Sequence, residues 1–595
     1  MNPHPQPGGV HEKSIPLFCF KAIYPMKKML FLVPLLLLRL AGEAQTIHSR
    51  FNGTPFGENV FVFDPTMNRT EMQVMLDTIF GRQTGRKGEF TNNRYAILFK
   101  PGSYDLDVRM DYYMEALGLG NTPDDVVIRG AVRSNTTMWN SVLCNFWRSV
   151  ENMSIEPAKD SMVWGVSQAS PLRRVHVKGN LKLYDIGYAS GGFLADSRID
   201  GTVCSGPQQQ WFTRNTEMKN WTGSNWNMVF VGVKGAPAQN WPDGAYTTIA
   251  TTPVIREKPF LAYDNKGYCV KVPAIKNNST GFGWPEKEGS VKTVYLDKFY
   301  IASPSRDNSE SINKALANGK NILFTPGRYL LDKCLAVSYP GTIIMGIGMA
   351  TLIPANGNAA VEIADVDGVI VCGLTVDAGS KFSQYLFMAG EKGCKKSHAS
   401  DPAFLYDVFF RVGGPAEGSA GACLVVNSND VCIDHTWLWR ADHGNGVGWE
   451  HNRCANGLVV NGNNVTVYGL FNEHFQEYQT LWNGENGKVY FYQSEMPYDP
   501  PGADAWKHDG KYGYASYKVA DGVRSHEAWG LGIYNVFYDA PVIVDNAIEV
   551  PVSLEEKIHN KIIFWLNGNK ESVVKSIING KGGEINVKKR KAIMK

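Results

Sequence analysis

The residues with the most to offer chemically lie far apart in this chain and are matched in type. Gln168 and the run Ser190-Gly191-Gly192-Phe193 sit in the first half, and Glu450-His451 with Glu473-His474 in the second. Carboxylates, a fixed amide and a hydroxyl from distant segments suit hydrolysis of a sugar acetal. One acid protonates the leaving oxygen while the remaining groups aim a water at the anomeric carbon. Glu450 precedes Glu473 by 23 residues, about one coil if the chain winds in rungs. The two carboxylates would then stand one above the other, roughly 4.8 Å apart at the backbone, and their repulsion would keep one protonated. Phe471, Phe475 and Trp482 supply apolar surroundings that would push the same way.

Groups so far apart need a scaffold that returns repeatedly to the same place, and the sequence contains one. Ile97-Leu98-Phe99-Lys100-Pro101-Gly102-Ser103-Tyr104 is echoed 225 residues later by Ile322-Leu323-Phe324-Thr325-Pro326-Gly327-Arg328-Tyr329. Each copy follows a predicted helix, Thr70 to Phe80 and Ser309 to Leu316, and each precedes short Val/Ile-rich strands. The duplication marks two modules of similar build. In the second, runs such as Gly341 to Met345, Val369 to Val371, Cys423 to Val426, Gly457 to Val460 and Val465 to Val467 alternate with Gly, Asn and Asp corners. Stacked coils of a parallel β-helix fit this pattern, since no rung has a core of its own and neighbours supply it. A β-sandwich accounts for the strands but not for the Asn-Gly and Asn-Asn corners or for a helix ahead of each module. The expected organisation is an N-terminal stretch 1–44, β-helix modules 45–290 and 291–550, and a basic tail 551–595.

Composition narrows the class. The 595 residues are 44% hydrophobic and 20% charged, with 60 Gly and 30 Pro, which suits a large folded chain rich in turns. A net charge of +3 gives no reason to expect a nucleic-acid partner. Lys588, Lys589, Arg590, Lys591 and Lys595 concentrate the excess at the C-terminus, read as a solvated tail. Met26-Lys27-Lys28, the apolar run Leu30 to Leu38 and Ala41-Gly42-Glu43-Ala44 form an export signal too short to cross a bilayer, with cleavage after Ala44. A secreted or periplasmic monomer without a membrane anchor is expected. Ten Cys are too sparse for a disulfide scaffold, and Cys372, Cys423 and Cys432 lie in apolar runs as buried thiols. No phosphate loop and no converging set of metal ligands is traced, so neither metal nor cofactor is expected. Asp434, Asp442 and His443 are read as turn-bonding groups.

Four stretches together resemble glycoside hydrolase family 55, exported β-1,3-glucanases built from two tandem right-handed β-helices. They are Val166-Ser167-Gln168-Ala169, Ser190 to Asp196, Gln209-Gln210-Trp211-Phe212-Thr213-Arg214-Asn215, and Asn472-Glu473-His474 with Tyr478 and Gln493 to Tyr498. The duplicated Phe-x-Pro-Gly-x-Tyr element also fits. A Tyr-Gly-Ala-Lys-Gly-Asp-Gly-like run usual ahead of the first helix is missing, and Ser305-Arg306-Asp307-Asn308 only echoes it, which marks a divergent branch. The resemblance implies an all-β, pectate-lyase-like fold of two β-helices side by side. It also implies an inverting hydrolase of a neutral polysaccharide, with exo attack on β-1,3-glucan. Glu473 would be the general acid, with Gln168, Ser190 and Glu450 around the attacking water. Asp196, Gln209, Gln210, Arg214, Asn215, His474, Tyr478, Glu495 and Tyr498 would contact the substrate. Hydrolysis of another linkage, a polysaccharide lyase and a non-catalytic glycan-binding β-helix share the architecture. A lyase needs a Lys, Arg or Tyr base against a uronate, whereas these residues present paired acids.

Overall fold

The computed structural model describes residues 54–595 except 139 and 288, and the expected export signal lies outside the described residues. Two right-handed parallel β-helices run in tandem and pack side by side. In the first, Val60–Phe63, Tyr95–Phe99, Met114–Gly118, Arg148–Pro157, Pro171–Val177, Phe193–Ala195, Gln210–Arg214, Asn227–Val231 and Tyr246–Ile249 pair in parallel from coil to coil. An antiparallel connector spans Thr252–Arg256 to Val291–Tyr295. The second β-helix stacks Phe299–Ala302, Asn321–Phe324, Ile343–Pro354, Ile370–Asp377, Phe404–Val412, Cys432–Arg440, Thr466–Glu473, Gly487–Glu495, His526–Phe537 and Ile558–Gly568 in the same way.

Each β-helix opens with a helix that plugs its end. α1 (Arg69–Gln83) starts at Asn68, whose side chain accepts from Glu71 N–H, and α2 (Ser309–Ala317) starts at Asn308, which accepts from Ser311 N–H. Met72, Met75, Leu76 and Ile79 close one core, and Ile312, Ala315 and Leu316 the other. The repeated Pro-Gly-x-Tyr then turns the first coil. A Cβ on Gly102 or Gly327 would run into the ring of Pro65 or Pro304. Tyr104 and Tyr329 hydroxyls each donate back to carbonyls of the preceding coil and of their own corner: Phe63 (3.1 Å) and Lys100 (2.7 Å), Ala302 (2.8 Å) and Thr325 (2.9 Å). Further on, asparagines at equivalent corners hydrogen-bond in columns. Asn483 donates to Asn461 and Asn461 to Asn427, both at 2.8 Å, while Asn486, Asn464 and Asp430 form a second column in the left-handed region. Short polar side chains that tolerate positive φ explain why Asn recurs there.

The strands between the β-helices are buried on both faces and so read as continuous apolar runs. Ile97 and Phe99 point into the first core, and Ala96 and Leu98 into a core shared with Leu323, Met345, Ile370 and Phe404 of the second. Cys372 and Cys432 are buried thiols in these strands, and Cys423 is a buried thiol in the second β-helix's own core, as expected.

The basic C-terminal stretch corrects an expectation. Residues 551–595 are not a solvated tail: Ile558–Gly568 is the last rung, and Lys591–Met594 pairs antiparallel to it. Arg590 donates to the Trp565 and Leu566 carbonyls, and Trp241 of the first β-helix donates to the Met594 carbonyl (3.0 Å). Charge density suggested solvation, and Lys588, Lys589, Lys591 and Lys595 are indeed exposed, but Ala592 is buried and the backbone between them pairs with the last rung.

Buried charges tie the two β-helices together. Arg173 donates to Asp407 (2.8 and 2.9 Å) and Asp434 (2.7 Å), and Arg214 to Asp434 (3.0 and 2.9 Å) and Glu257 (both 2.7 Å). Lys258 adds Glu151 (2.7 Å) and Asp407 (3.3 Å). Burial works against ionising Asp407, yet Arg173 and Lys258 hold its pKa far below the ordinary range. Asp434→Asn would leave two buried guanidiniums short of a counter-charge. The expected cost is about 3–5 kcal/mol in denaturant unfolding, and a loss below about 1 kcal/mol would show that the network does not hold the β-helices together.

Candidate active site

The second β-helix sets its site residues one per rung. The register aligns Arg411, Trp439, Glu473, Glu495, Tyr534 and Phe564 on six successive strands. In-register residues of parallel strands face the same way, so Glu473 and Glu495 are the stacked carboxylates, roughly 4.8 Å apart at the backbone.

Glu450 is not Glu473's rung neighbour. The coil before Glu473 takes 34 residues, from Trp439, because a loop follows Arg440; the coil after it takes 22, to Glu495. A count of 23 residues backward from Glu473 therefore ends in that loop. There the Glu450 side chain is 69% exposed and pairs with Arg453 (2.7 Å).

The first β-helix supplies what faces Glu473. Gln168 and Ser190 lie just before the strands Pro171–Val177 and Phe193–Ala195, with Ala169 and Gly191 at positive φ (54° and 119°) turning the chain inward. A Cβ on Gly191 would stand 3.1 Å from the Phe471 ring and one on Gly192 would enter the Trp211 ring, so the Ser-Gly-Gly run is what allows this close approach. Ser190 Oγ donates to Gln168 Oε1 (2.9 Å), and Gln168 Nε2 donates to Glu473 Oε1 (2.7 Å). Trp437 Nε1 donates to Glu473 Oε2 (2.8 Å). Gln210 Nε2 donates to the Ser190 carbonyl, and Gln208 holds Gly191 N–H (2.8 Å). Three of the expected residues thus form one chain across the interface.

Glu473 is only 3% exposed. Burial first, and the neighbouring Glu495 charge second, push its pKa up to about 8, against the opposing pull of His474 and Trp437. The Glu495 side chain is 12% exposed; the Tyr498 hydroxyl donates to its Oε2, and His474 Nε2 lies 3.6 Å from the same oxygen. Burial lowers the His474 pKa, but Glu495, Asp442 and Glu473 outweigh it and the imidazole is raised. His474 itself sits at φ 70°, its ring 4.4 Å from that of Tyr498.

The other expected contacts separate. Arg214 is fully buried in the inter-helix charge network, and Asn215 joins it through Glu257 (2.9 Å) and Ser279 (2.9 Å). Asp196 accepts from Arg174 (3.3 Å) and Gly283 N–H (2.5 Å), with its pKa raised to about 7 by burial and by Glu257. These three anchor the connector instead of lining the cleft. Asp434 bonds Arg173 and Arg214. Gln209 bonds through its backbone to Ala189 and Trp226, and Tyr478 packs edge-on against His508 and Tyr514.

Residue patterns gave no sign of Trp437 or of the wall upstream of Glu473. There Phe90 and Trp147, on segments of the first β-helix, pack against Trp439, and His443 lies 5.7 Å from Phe90 and 5.2 Å from Trp439. Downstream, Trp226 of the first β-helix stacks on Phe564 (4.3 Å) beside Tyr534. A rung count run forward from Glu473 would have found Glu495 as its partner; nothing in the sequence marks the wall.

Because its native pKa exceeds the ordinary 4.5, Glu473 binds its proton more tightly folded than unfolded. Its contribution to stability is complete below about pH 4.5 and is lost as pH rises through about 8. Glu473→Gln, which cannot ionise, should therefore gain on the native chain between pH 4.5 and 8.5, by about 2–4 kcal/mol in paired unfolding curves. A difference independent of pH would mean that Glu473 is ionised throughout.

Comparison with known proteins agrees with this geometry. The family model described as the LAM55 pectate lyase-like domain matches residues 299–495. An exo-beta-1,3-glucanase from Streptomyces sp. (strain SirexAA-E / ActE) is 45% identical over 521 residues, covering 87% of this chain and 85% of its own. The structure of sacteLam55A from Streptomyces sp. SirexAA-E superposes with a TM-score of 0.87 at 42% identity, covering 91% of this chain and 99% of that one. A glutamate-to-alanine variant of it in complex with glucose gives the same TM-score and identity and covers 98% of its own chain. With two β-helices joined through Gln168, Ser190 and Glu473, and a relative this similar over most of its length, the chain belongs to glycoside hydrolase family 55.

Proposed function

We propose that this protein is an exported, exo-acting β-1,3-glucanase that cleaves with inversion, using Glu473 and Glu495 as its carboxylate pair. The observation that carries the reading is the Ser190–Gln168–Glu473 hydrogen-bond chain between the β-helices, one rung from Glu495. Sugar and linkage follow from the similarity to the Streptomyces exo-beta-1,3-glucanase. Exo attack follows from the same similarity. Export rests on the signal at residues 26–44 and on the same relationship.

The hydrogen bonds divide the labour differently from the sequence expectation. Both Glu473 oxygens accept N–H donors, one of them from the amide that also holds Ser190, so Glu473 belongs on the side of the water. A water bound by Ser190, Gln168 and Glu473 loses its proton to Glu473 as it attacks C1. Glu495 is the more open of the two and is touched only at Oε2, which leaves Oε1 for the glycosidic oxygen. It delivers the proton to the departing sugar. Burial, and after it the Glu495 charge, hold a proton on Glu473 up to about pH 8, and that proton has to leave before Glu473 takes the water's. The two carboxyls take different partners, Glu473 with Gln168 and Glu495 with Tyr498.

Leaving-group dependence separates the two roles. Glu495→Gln should lose at least about a thousandfold of kcat on laminarin yet keep most activity on a 2,4-dinitrophenyl β-glucoside, whose phenolate needs no proton. Glu473→Gln should be equally impaired on both. The reverse pattern would make Glu473 the acid. Proton NMR of the first product should show the α anomer, and retention would overturn single displacement. Early release of only mono- or disaccharide from laminarin is expected; a ladder of longer products would reject exo attack.

A further inference from the structure

The wall upstream of Glu473 holds a second set of reactive side chains that hydrolysis does not use. Glu89 and Cys144 lie on segments of the first β-helix, and His443 follows Cys432–Arg440 in the second. One potential ligand atom from each lies within 4.8 Å of the others. His443 Nε2 is 2.8 Å from Glu89 Oε1, while its Nδ1 is 3.0 Å from Asp442 Oδ1. One ring nitrogen thus points into the cluster while a carboxylate fixes the other, the arrangement that orients a metal-binding imidazole. The two first-helix segments are anchored through their backbones: the Tyr113 hydroxyl donates to the Glu89 carbonyl (2.6 Å) and the Tyr112 hydroxyl to the Cys144 carbonyl (2.5 Å). Phe90 and Trp439 pack against each other and both against the His443 ring.

A thiolate, an imidazole and a carboxylate make a borderline-soft donor set. It favours Zn²⁺, and its sulfur disfavours Ca²⁺ and Mg²⁺. Bonds of roughly 2.0 Å at tetrahedral angles place nitrogen and oxygen ligands about 3.3 Å apart, so the Glu89–His443 contact needs to open by only about half an ångström. We propose that Glu89, Cys144 and His443 form a zinc site that clamps the first β-helix to the second at the wall of the cleft. Three protein ligands leave a fourth position open. Binding releases to the buffer the Cys144 thiol proton as the Zn–S bond forms and the proton between His443 Nε2 and Glu89 as the Zn–N bond forms.

Titration calorimetry of the full chain with zinc chloride, in a phosphine reductant and in two buffers of different ionisation enthalpy, tests this independently of the glycosidase reading. Expected are one ion per chain at micromolar Kd or tighter, proton release on binding, and no binding of Ca²⁺. Cys144→Ser and His443→Gln, each checked for native circular dichroism, should weaken zinc at least about tenfold. Cys144→Ser should leave laminarin hydrolysis in chelator unchanged. Absence of a saturable one-to-one site below about 0.1 mM, or a Cys144→Ser variant that binds zinc as tightly as the native chain, would overturn the proposal.

Discussion

Everything at the cleft depends on four charges that water cannot reach. Arg173 and Arg214 enter from the first β-helix, and Asp407 and Asp434 meet them from the second. Such a bridge gives little net stability, because desolvating each ion costs about what pairing returns. Its effect is on alignment: a slip of one rung would leave a guanidinium or a carboxylate buried alone. The strands that carry the bridge also carry the site. Arg173 follows Gln168 on the same coil, and Asp434 precedes Trp437 on the same strand. Fixing one fixes the other, and the Gln168–Glu473 contact inherits its geometry from the ion network.

The site uses that alignment to do something neither β-helix can do alone. An amide has one donor and one acceptor side, and Gln168 spends them in opposite directions, toward Glu473 and toward Ser190. Reorientation of polar groups during the reaction is thereby small, because they are already held before substrate arrives. The repulsion between Glu473 and Glu495 is the counterpart of this order. Burial and, after it, the Glu495 charge on the adjacent rung keep a proton on Glu473 at neutral pH.

How far the sequence revealed this depended on whether a feature was local. The Pro-Gly-x-Tyr corners were legible because glycine and tyrosine answer needs set by their own corner and the coil just before it. Gln168, Ser190 and Glu473 were legible as a set, through resemblance and residue type. Coil length was not: the loop after Arg440 lengthens one coil from 22 residues to 34, so the count backward to Glu450 went astray, and Glu495, read only as a sugar contact, stands one coil forward. Arg214, Asn215 and Asp196 look like sugar-binding groups in sequence because polar residues in a cleft and polar residues in a buried bridge have the same composition. Only the partners tell them apart, and those lie on remote segments. The C-terminal strand was missed for a related reason, since a basic stretch carries no mark of the edge it covers.

That last strand also settles how the stack of coils ends. A parallel β-helix could in principle go on adding rungs, and its final strand presents a row of open backbone groups to any passing chain. Lys591–Met594 runs the wrong way for another coil to follow, and its one lysine, Lys591, is exposed. The Met594 carbonyl is then fastened to Trp241, across the seam and 353 residues earlier in the chain. Lys591–Met594 is therefore a stopper for the stack, covering the last rung along Lys561–Phe564, where an open edge would otherwise stand.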